Sequence, residues 1–466
     1  MTETIHLLHT NDLHSHFEHW PRIRRWLKSQ QKKWRSQGDT VITLDIGDAM
    51  DRMHPLTEAT DGKANVALLN QVGYDAVTIG NNEGIGNSAA QLNHLYDQAN
   101  FAVVLANLRS QKTQQRPHWA LEAKIITTAA GTRVALFGLT APYIDTYRPN
   151  GWALTVVQQE LPKLLAKLAG KADVFVLLSH LGIDVDKWIA QHYPQVTVII
   201  GSHTHHLLAT GLKLNHSLLA AAGRYGEYVG HITLKLNQQH QVVHETAQVV
   251  KTVSLPVAAS DQAEIEGYRQ RGHQLLKAQV ITTLPHQLTA KAKGNSALMQ
   301  LALDAIAWTA GTQVAILNTG VFLASFQAGP LTADDLHTAL PHAMHLLRIQ
   351  LSGYDVWRLV REIEKARLFL QHYQLHGMGF RGNYFGDMVY SGLTWNPVKQ
   401  TVKWHGQPLN PDKKYTLVGM DTYLYFPFFP TIEIVGETEV LFPGVLRDAI
   451  GRYLKAQNQS EVADHH

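Results

Sequence analysis

The chain has 466 residues, 45% hydrophobic and 17% charged, which is too long for one ordinary core and predicts two or three domains of a soluble globular enzyme. A formal net charge of +3 gives no reason to expect a nucleic-acid partner, and the lack of cysteine excludes disulfides, thiolate zinc sites and thiol nucleophiles. Histidine is the outlier: 27 copies, many beside Asp or Asn, point to a metal site built from nitrogen and oxygen donors.

The opening "MTETIHLLHTND" has neither a basic leader nor a long apolar run, so an unexported, cytoplasmic chain without a membrane span is expected. A first strand is predicted over residues 5–9, followed by Asp12 and His14. Next comes "WPRIRRWLKSQQKKWRSQG", with seven Lys/Arg and no acid. Ile23, Trp26, Leu27 and Trp34 share one face of a helix there, whose basic side is either plain solvated surface or a guide for an anionic substrate. A strand over 40–46 runs into "DIGDAMDR", which carries Asp48 and Arg52, with His54 just beyond. A helix over 64–72 and a strand over 76–79 follow, the strand ending in "GNNEG" with Asn81 and Asn82. A helix over 89–98, strands over 102–105 and 134–139 and a helix over 160–168 continue the alternation. The strands over 174–178 and 196–200 end in "SH" at His180 and "GSHTH" at His203 and His205.

Alternating strands and helices argue for α/β layers across residues 1–252. Residues 253–280 read as a polar linker helix. From 281 to 466 a second α/β unit is predicted, with a helix over 296–308, a strand over 314–317, a helix over 354–370 and a Tyr- and Gly-rich β region.

Each candidate ligand sits just past an apolar run, where open α/β sheets gather their site residues. Asp12 and His14, two apart in extended backbone, point the same way and can grip one ion. A lone strand-end Asp is usually a turn former and a lone His a structural residue, but five strand ends all yielding hard N/O donors favour a shared centre. Two ions sharing Asp48, ~3.5–4 Å apart, would activate a bridging water and clamp a phosphoryl oxygen. Mn, Zn or Fe suit such donors, with Mg or Ca possible.

D-x-H, G-D, G-N, a lone His and G-x-H-x-H in this order resemble the calcineurin-like metallophosphoesterases, and "LLHTNDLHSHFE" with the C-terminal half resembles their 5′-nucleotidase / UDP-sugar hydrolase branch. The resemblance covers nearly the whole chain. It implies a four-layer αββα metal domain followed by a smaller α/β 5′-nucleotidase C-terminal-type domain that recognises the nucleotide and rotates to deliver it. It also implies two divalent ions, one held by Asp12, His14, Asp48 and His205 and the other by Asp48, Asn81, His180 and His203. The implied partner is a small phosphate ester, a nucleotide before others, in nucleotide catabolism.

Departures from the family pattern matter as much. The family places a catalytic His after the G-N, where this chain has Asn82. An amide can donate to a phosphoryl oxygen but supplies no proton, and general acid–base help is worth ~10²–10⁴-fold. His54, His16 and Arg52 are the nearest replacements, Arg52 by analogy with G-D-x-x-D-R phosphatases; a salt bridge to a nearby acid is the plain alternative. In the C-terminal half, "LNTGVFLAS" puts Phe322 where the family has a phosphate- or sugar-binding Arg, and Lys291 and Lys293 replace an Arg-rich lead-in. His342 of "PHAM" stands where a base-stacking Phe is usual. Asn318 keeps the turn chemistry, and Tyr423 of "GMDTYLYFPFFP" is the candidate second aromatic. The leading expectation is a nucleotide phosphomonoesterase acting through a metal-bridged hydroxide, with Asn82 orienting the phosphoryl group. A phosphodiesterase or pyrophosphatase on the same centre, with a cyclic nucleotide or UDP-sugar as substrate, and a non-catalytic metal-dependent metabolite binder are the alternatives.

Overall fold

A computed structural model describes residues 3–375, 377 and 379–463 and divides the chain into two compact units, Met1–Gly272 and His273–His466.

The first unit is built on two sheets. One has the order Val242–Lys251, Tyr228–Leu236, Glu3–Thr10, Thr40–Asp45, Ala76–Val77, Ala102–Val104, Ala120–Leu121, parallel from Glu3–Thr10 onward. The other runs Leu212–Leu214, Ser217–Ala220, Val198–Gly201, Val174–His180, Arg133–Thr140, Lys124–Thr127, with its middle four strands parallel. Side chains alternate across each strand, and both faces here are apolar. Ile5, Leu7, Ile42 and Leu44 therefore meet Leu136, Val176, Leu178 and Ile200 between the sheets. The opposite faces bury Leu8, Val41 and Val103 under helices Trp20–Arg35 and Lys63–Asn70, and Phe137, Leu177 and Ile199 under Val157–Leu168 and Ile183–His192. The result is the expected αββα stack.

The basic helix Trp20–Arg35 turns Trp20, Ile23, Leu27 and Trp34 inward. Part of its basic side is structural: Arg24 pairs bidentately with Glu264 (2.7 and 2.8 Å) and Arg25 with Asp261 (2.5 and 2.8 Å). These residues begin the helix Asp261–Lys277, which accounts for most of the stretch read as a linker. Gly272 lies so close to Leu56 that an added Cβ would stand 2.2 Å from its backbone nitrogen. Residues 261–272 are thus bound into the first unit by ion pairs and close packing, and the division between units falls inside the helix.

The second unit centres on a five-stranded sheet, Met388–Ser391, Ala315–Asn318, Lys414–Met420, Leu346–Ser352, Glu437–Leu441. Helices Ala297–Ala310, Gly353–Leu370 and Leu446–Ala463 and a three-stranded sheet over 393–408 complete it around one apolar core. Among the described residues no helix is long and apolar enough to cross a membrane.

Leu178 is fully buried between the two sheets. Leu178→Ala is expected to destabilise the first unit by about 2–5 kcal/mol, read as a lowered denaturant midpoint in the transition of that unit.

Candidate metal centre

All seven predicted ligands lie at the carboxyl ends of strands, but the local backbone is not plain strand. The segment predicted to extend over 76–79 pairs only at Ala76–Val77, and Asn81–Gly84 then forms a single helical turn. Asp12 (φ 45°), His14 (46°), Asp48 (50°), His203 (75°) and His205 (57°) are all left-handed. Non-glycine residues seldom adopt this region, each instance costs ~1–3 kcal/mol, and such strain collects where geometry serves a site.

Two glycines let these turns meet. Gly47 has φ 84°, and a Cβ on it would stand 2.4 Å from the Gly80 nitrogen; a Cβ on Gly80 would stand 2.1 Å from Asp48 Oδ1 and 2.5 Å from the His180 ring. Glu83, absent from the sequence-level candidates, holds the same turns together. Its Oε2 accepts from the backbone N–H groups of Asp48 (2.9 Å) and Gly80 (2.8 Å), and its Oε1 from that of Met50 (3.1 Å). A carboxylate that accepts only backbone donors carries no sequence signature.

The donor atoms converge. Nε2 of His180 stands 3.5 Å from Asp48 Oδ2, and Nε2 of His14 stands 3.7 Å from Asp48 Oδ2 and 3.9 Å from Asp12 Oδ1. Nε2 of His205 is 3.7 Å from Asp12 Oδ1 and 3.2 Å from His14 Nε2. Ligand bonds of ~2.1 Å put neighbouring donor atoms roughly 3–4 Å apart, so these spacings suit a shared ion. Two groups within 4.8 Å stand out, Asp12–His14–His205 and Asp12–Asp48–His180. Asp12, Asp48 and His180 are buried; the other ligands are half-buried, leaving the centre open on one side.

Two atoms identify what is missing from the hydrogen-bond network. His180 Nδ1 donates to the Ile46 carbonyl at 2.8 Å, so its Nε2 is the nitrogen open to a proton or a metal ion, and Nε2 is buried without a hydrogen-bond partner among the described residues. Asn81 Oδ1 is likewise buried and unpartnered. A buried acceptor left unmatched costs free energy, and a cation answers both atoms. On His203, Nε2 meets the Tyr143 hydroxyl at 2.8 Å, leaving Nδ1 as the other possible donor atom to an ion.

Charge in the pocket is frustrated in the same sense. Burial pushes the Asp12 carboxyl up to about 7, and burial together with the neighbouring Asp48 charge pushes Glu83 up to about 7. Burial also opposes ionisation of Asp48, but His180 and His14 outweigh it and hold that carboxyl below its ordinary range. His180 is raised to about 10 by Asp48 and Asp12 against its own burial, whereas burial lowers His203 and His205 to about 4.

The remaining candidates are placed differently. Asn82 lies at the centre, its backbone N–H on Asp48 Oδ1 (2.7 Å) and its side-chain N–H groups on the Met50 carbonyl (2.9 Å) and His14 Nδ1 (2.9 Å). Arg52 is not presented to the centre as a phosphate ligand. Its guanidinium is engaged by Glu58 (2.7 Å), Asp61 (3.1 Å), the Gly86 carbonyl (3.1 Å) and Asn87 (3.1 Å), which is the plain alternative of a salt bridge to nearby acids. His54 caps the helix Pro55–Ala59, accepting from Leu56 N–H at 3.2 Å, and its ring packs edge-on to Phe17. His16 stacks on Tyr225 at 3.9 Å and pairs with Glu18.

In the second unit, Asn318 and Tyr423 are interior and bond to each other, the Tyr423 hydroxyl donating to Asn318 Oδ1 at 2.6 Å. His342 is 1% exposed, donates to the Val321 carbonyl at 2.6 Å and stacks on Phe380. The three expected ligand contacts are therefore satisfied core residues. Open aromatic surface includes the exposed Phe369, against which the half-buried Tyr373 and Phe428 pack with centroids 5.0–5.3 Å apart.

Residues 5–207 match the profile of the calcineurin-like phosphoesterases, and residues 278–425 that of the 5′-nucleotidase C-terminal domain. The chain is 34% identical over 459 residues to the uncharacterized metallophosphoesterase YunD of Bacillus subtilis, covering 97% of this chain and 99% of YunD. The fold matches a putative 5′-nucleotidase from Staphylococcus aureus (TM-score 0.66, 15% identity, 97% of this chain and 96% of that one). It also matches the NAD nucleotidase of Haemophilus influenzae (TM-score 0.63, 15% identity, 98% and 97%).

Gly80→Ala is expected to drive a methyl into Asp48 and His180 and to remove bound metal, measured by elemental analysis after dialysis against Mn²⁺. Glu83→Gln replaces one acceptor oxygen by a donor facing backbone N–H groups; it is expected to destabilise the first unit by about 1–3 kcal/mol in denaturant titration.

Proposed function

Because the chain belongs to the calcineurin-like metallophosphoesterases that carry a 5′-nucleotidase C-terminal domain, we propose that it hydrolyses the phosphomonoester of a nucleotide at a centre of two divalent ions. Membership makes it a metal-dependent phosphoester hydrolase. The nucleotide, the monoester and the ion pair are the finer reading. The observation that supports it best is the pair of buried, unpartnered acceptors, Asn81 Oδ1 and His180 Nε2, beside a cluster of carboxylates and imidazoles from five strand ends.

In this reading Asp12, His14, Asp48 and His205 hold one ion and Asp48, Asn81, His180 and His203 the other, with Mn, Zn or Fe favoured by the sulfur-free donor set. When bound, such ions lower the pKa of a water and offset charge on phosphoryl oxygens. Asp48 would be shared by both ions, and its position is held by the backbone N–H of Asn82 and by the carboxylate of Glu83. With an ion on His14 Nε2, Nδ1 would carry the ring proton, facing Asp51 Oδ2 at 3.8 Å, and would no longer accept from Asn82. One Asn82 N–H would then be free to meet a phosphoryl oxygen. Base recognition falls to the second unit, for which Phe369, Tyr373 and Phe428 replace the buried Tyr423 as the candidate platform.

A second reading is favoured by Asn82 itself. An amide donates no proton to a leaving alkoxide, whereas the phosphate leaving group of a pyrophosphate linkage needs none. Pyrophosphate-linked substrates such as UDP-sugars therefore stand beside nucleoside monophosphates.

Metal-loaded protein is expected to hydrolyse a nucleoside monophosphate or a nucleoside diphosphate derivative, with activity lost on chelation and in Asp48→Ala. No turnover of nucleoside phosphates, UDP-sugars or an activated aryl phosphate with any of the five metals sinks the proposal. Asn82→His is expected to raise turnover of monoesters toward the ~10²–10⁴-fold that acid catalysis supplies, leaving the aryl phosphate, with its good leaving group, nearly unchanged.

A further inference from the structure

The segment 223–227, "GRYGE", presents a cation beside the metal centre that the function above leaves without a task. Three of its residues are left-handed, Gly223 (φ 71°), Tyr225 (61°) and Gly226 (68°), and the turn is pinned on several sides. Gly223 N–H donates to the His206 carbonyl at 3.0 Å and Tyr225 N–H to the Asp12 carbonyl at 2.7 Å. Thr252 holds the far end, donating through Oγ1 to the Gly226 carbonyl (2.6 Å) and through its N–H to that of Glu227 (2.8 Å). The Tyr225 ring is stacked on His16 and lies edge-on to His14. The backbone is thus tied directly to a candidate ligand, Asp12, and to the residue following another, His205.

From this turn Arg224 reaches the centre. Its Nη1 lies 3.4 Å from Nδ1 of His205, and its guanidinium sits 4.5 Å from the Tyr225 ring centroid. The side chain is exposed, and among the described residues no carboxylate pairs with it. This separates it from Arg24, Arg25, Arg52 and Arg133, whose guanidiniums are all matched by acids. An unmatched guanidinium held at the rim of a site is a ready fork for phosphate oxygens.

Resting on the reading of the centre given above, we propose that Arg224 binds a non-bridging oxygen of the substrate's phosphoryl group. It supplies, from the metal-bearing unit, a positive charge that neither Asn82 nor Phe322 provides.

The test compares wild type, Arg224→Ala and Arg224→Lys, each loaded with Mn²⁺, by elemental analysis, thermal melting and calorimetric binding of inorganic phosphate. All three are expected to hold the same metal and to melt together. Phosphate affinity is expected to fall roughly 10- to 100-fold in the Ala variant and to be partly restored by Lys. Loaded wild type that binds phosphate no more tightly than Arg224→Ala overturns the role of Arg224. Equal binding by both variants and wild type, alongside metal-dependent hydrolysis, overturns that role alone. Metal uptake with neither phosphate binding nor hydrolysis overturns the reading of the centre with it.

Discussion

Everything at the centre depends on two sheets meeting with their carboxyl edges in register. Hydrogen bonds cross from one sheet to the other along that edge: His180 Nδ1 to the Ile46 carbonyl (2.8 Å), Asn11 Nδ2 to the Gly201 carbonyl (2.5 Å), and Ala106 N–H to the Gly138 carbonyl (2.8 Å). Asp12, Asp48 and Asn81 come from the first sheet; His180, His203 and His205 come from the second. No single sheet carries a complete ligand set. The clasp through His180 also does chemical work, because the nitrogen that holds the sheets together fixes which nitrogen remains bare.

That arrangement is held against local preference. Five left-handed non-glycine residues, at ~1–3 kcal/mol each, would relax if their turns were free. They persist because the sandwich core fixes the strands on either side and Glu83 gathers three backbone N–H groups from the two turns that carry Asp48 and Asn81. Ser202 Oγ and His203 N–H do the equivalent for Asp12, donating at 2.5 and 3.2 Å. Buried carboxylates packed this densely repel one another, which is why burial and mutual charge raise Asp12 and Glu83 together.

The sequence was legible where chemistry and periodicity coincide. Apolar runs ending in Asp, Asn or His located every strand end of the centre, and alternating strands and helices gave the α/β class, whereas the αββα order came with the family resemblance. What stayed hidden depended on burial and on partners distant in sequence. His342, Asn318 and Tyr423 lie in the right motifs, yet nothing local says that their polar atoms are spent inside the core. Arg52 sits beside Asp51 in sequence but answers Glu58 and Asp61. Glu83 was invisible because its partners are backbone groups, and Arg224 because its neighbour in space, His205, is 19 residues away on another turn. Histidine abundance was only partly a metal signal: His6 and His231 hydrogen-bond to each other and stack side by side on Trp34, with centroids at 4.1 and 4.3 Å from it, and His9 is closed in against Gly230.

Asn82 shows how one substitution redistributes labour within a shared geometry. Its side chain offers two N–H bonds, one fixed on the Met50 carbonyl and the other resting on His14. An imidazole at this position would add a proton donor of suitable acidity but would have one N–H where two partners need one. The amide thus favours a rigid, correctly placed His14 over acid catalysis. Such a trade suits esters whose leaving group departs without a proton, and it places more of the burden of phosphoryl recognition on fixed positive charge. The donor resting on His14 Nδ1 would be displaced once that ring held an ion, so loading the centre would also free an anion contact.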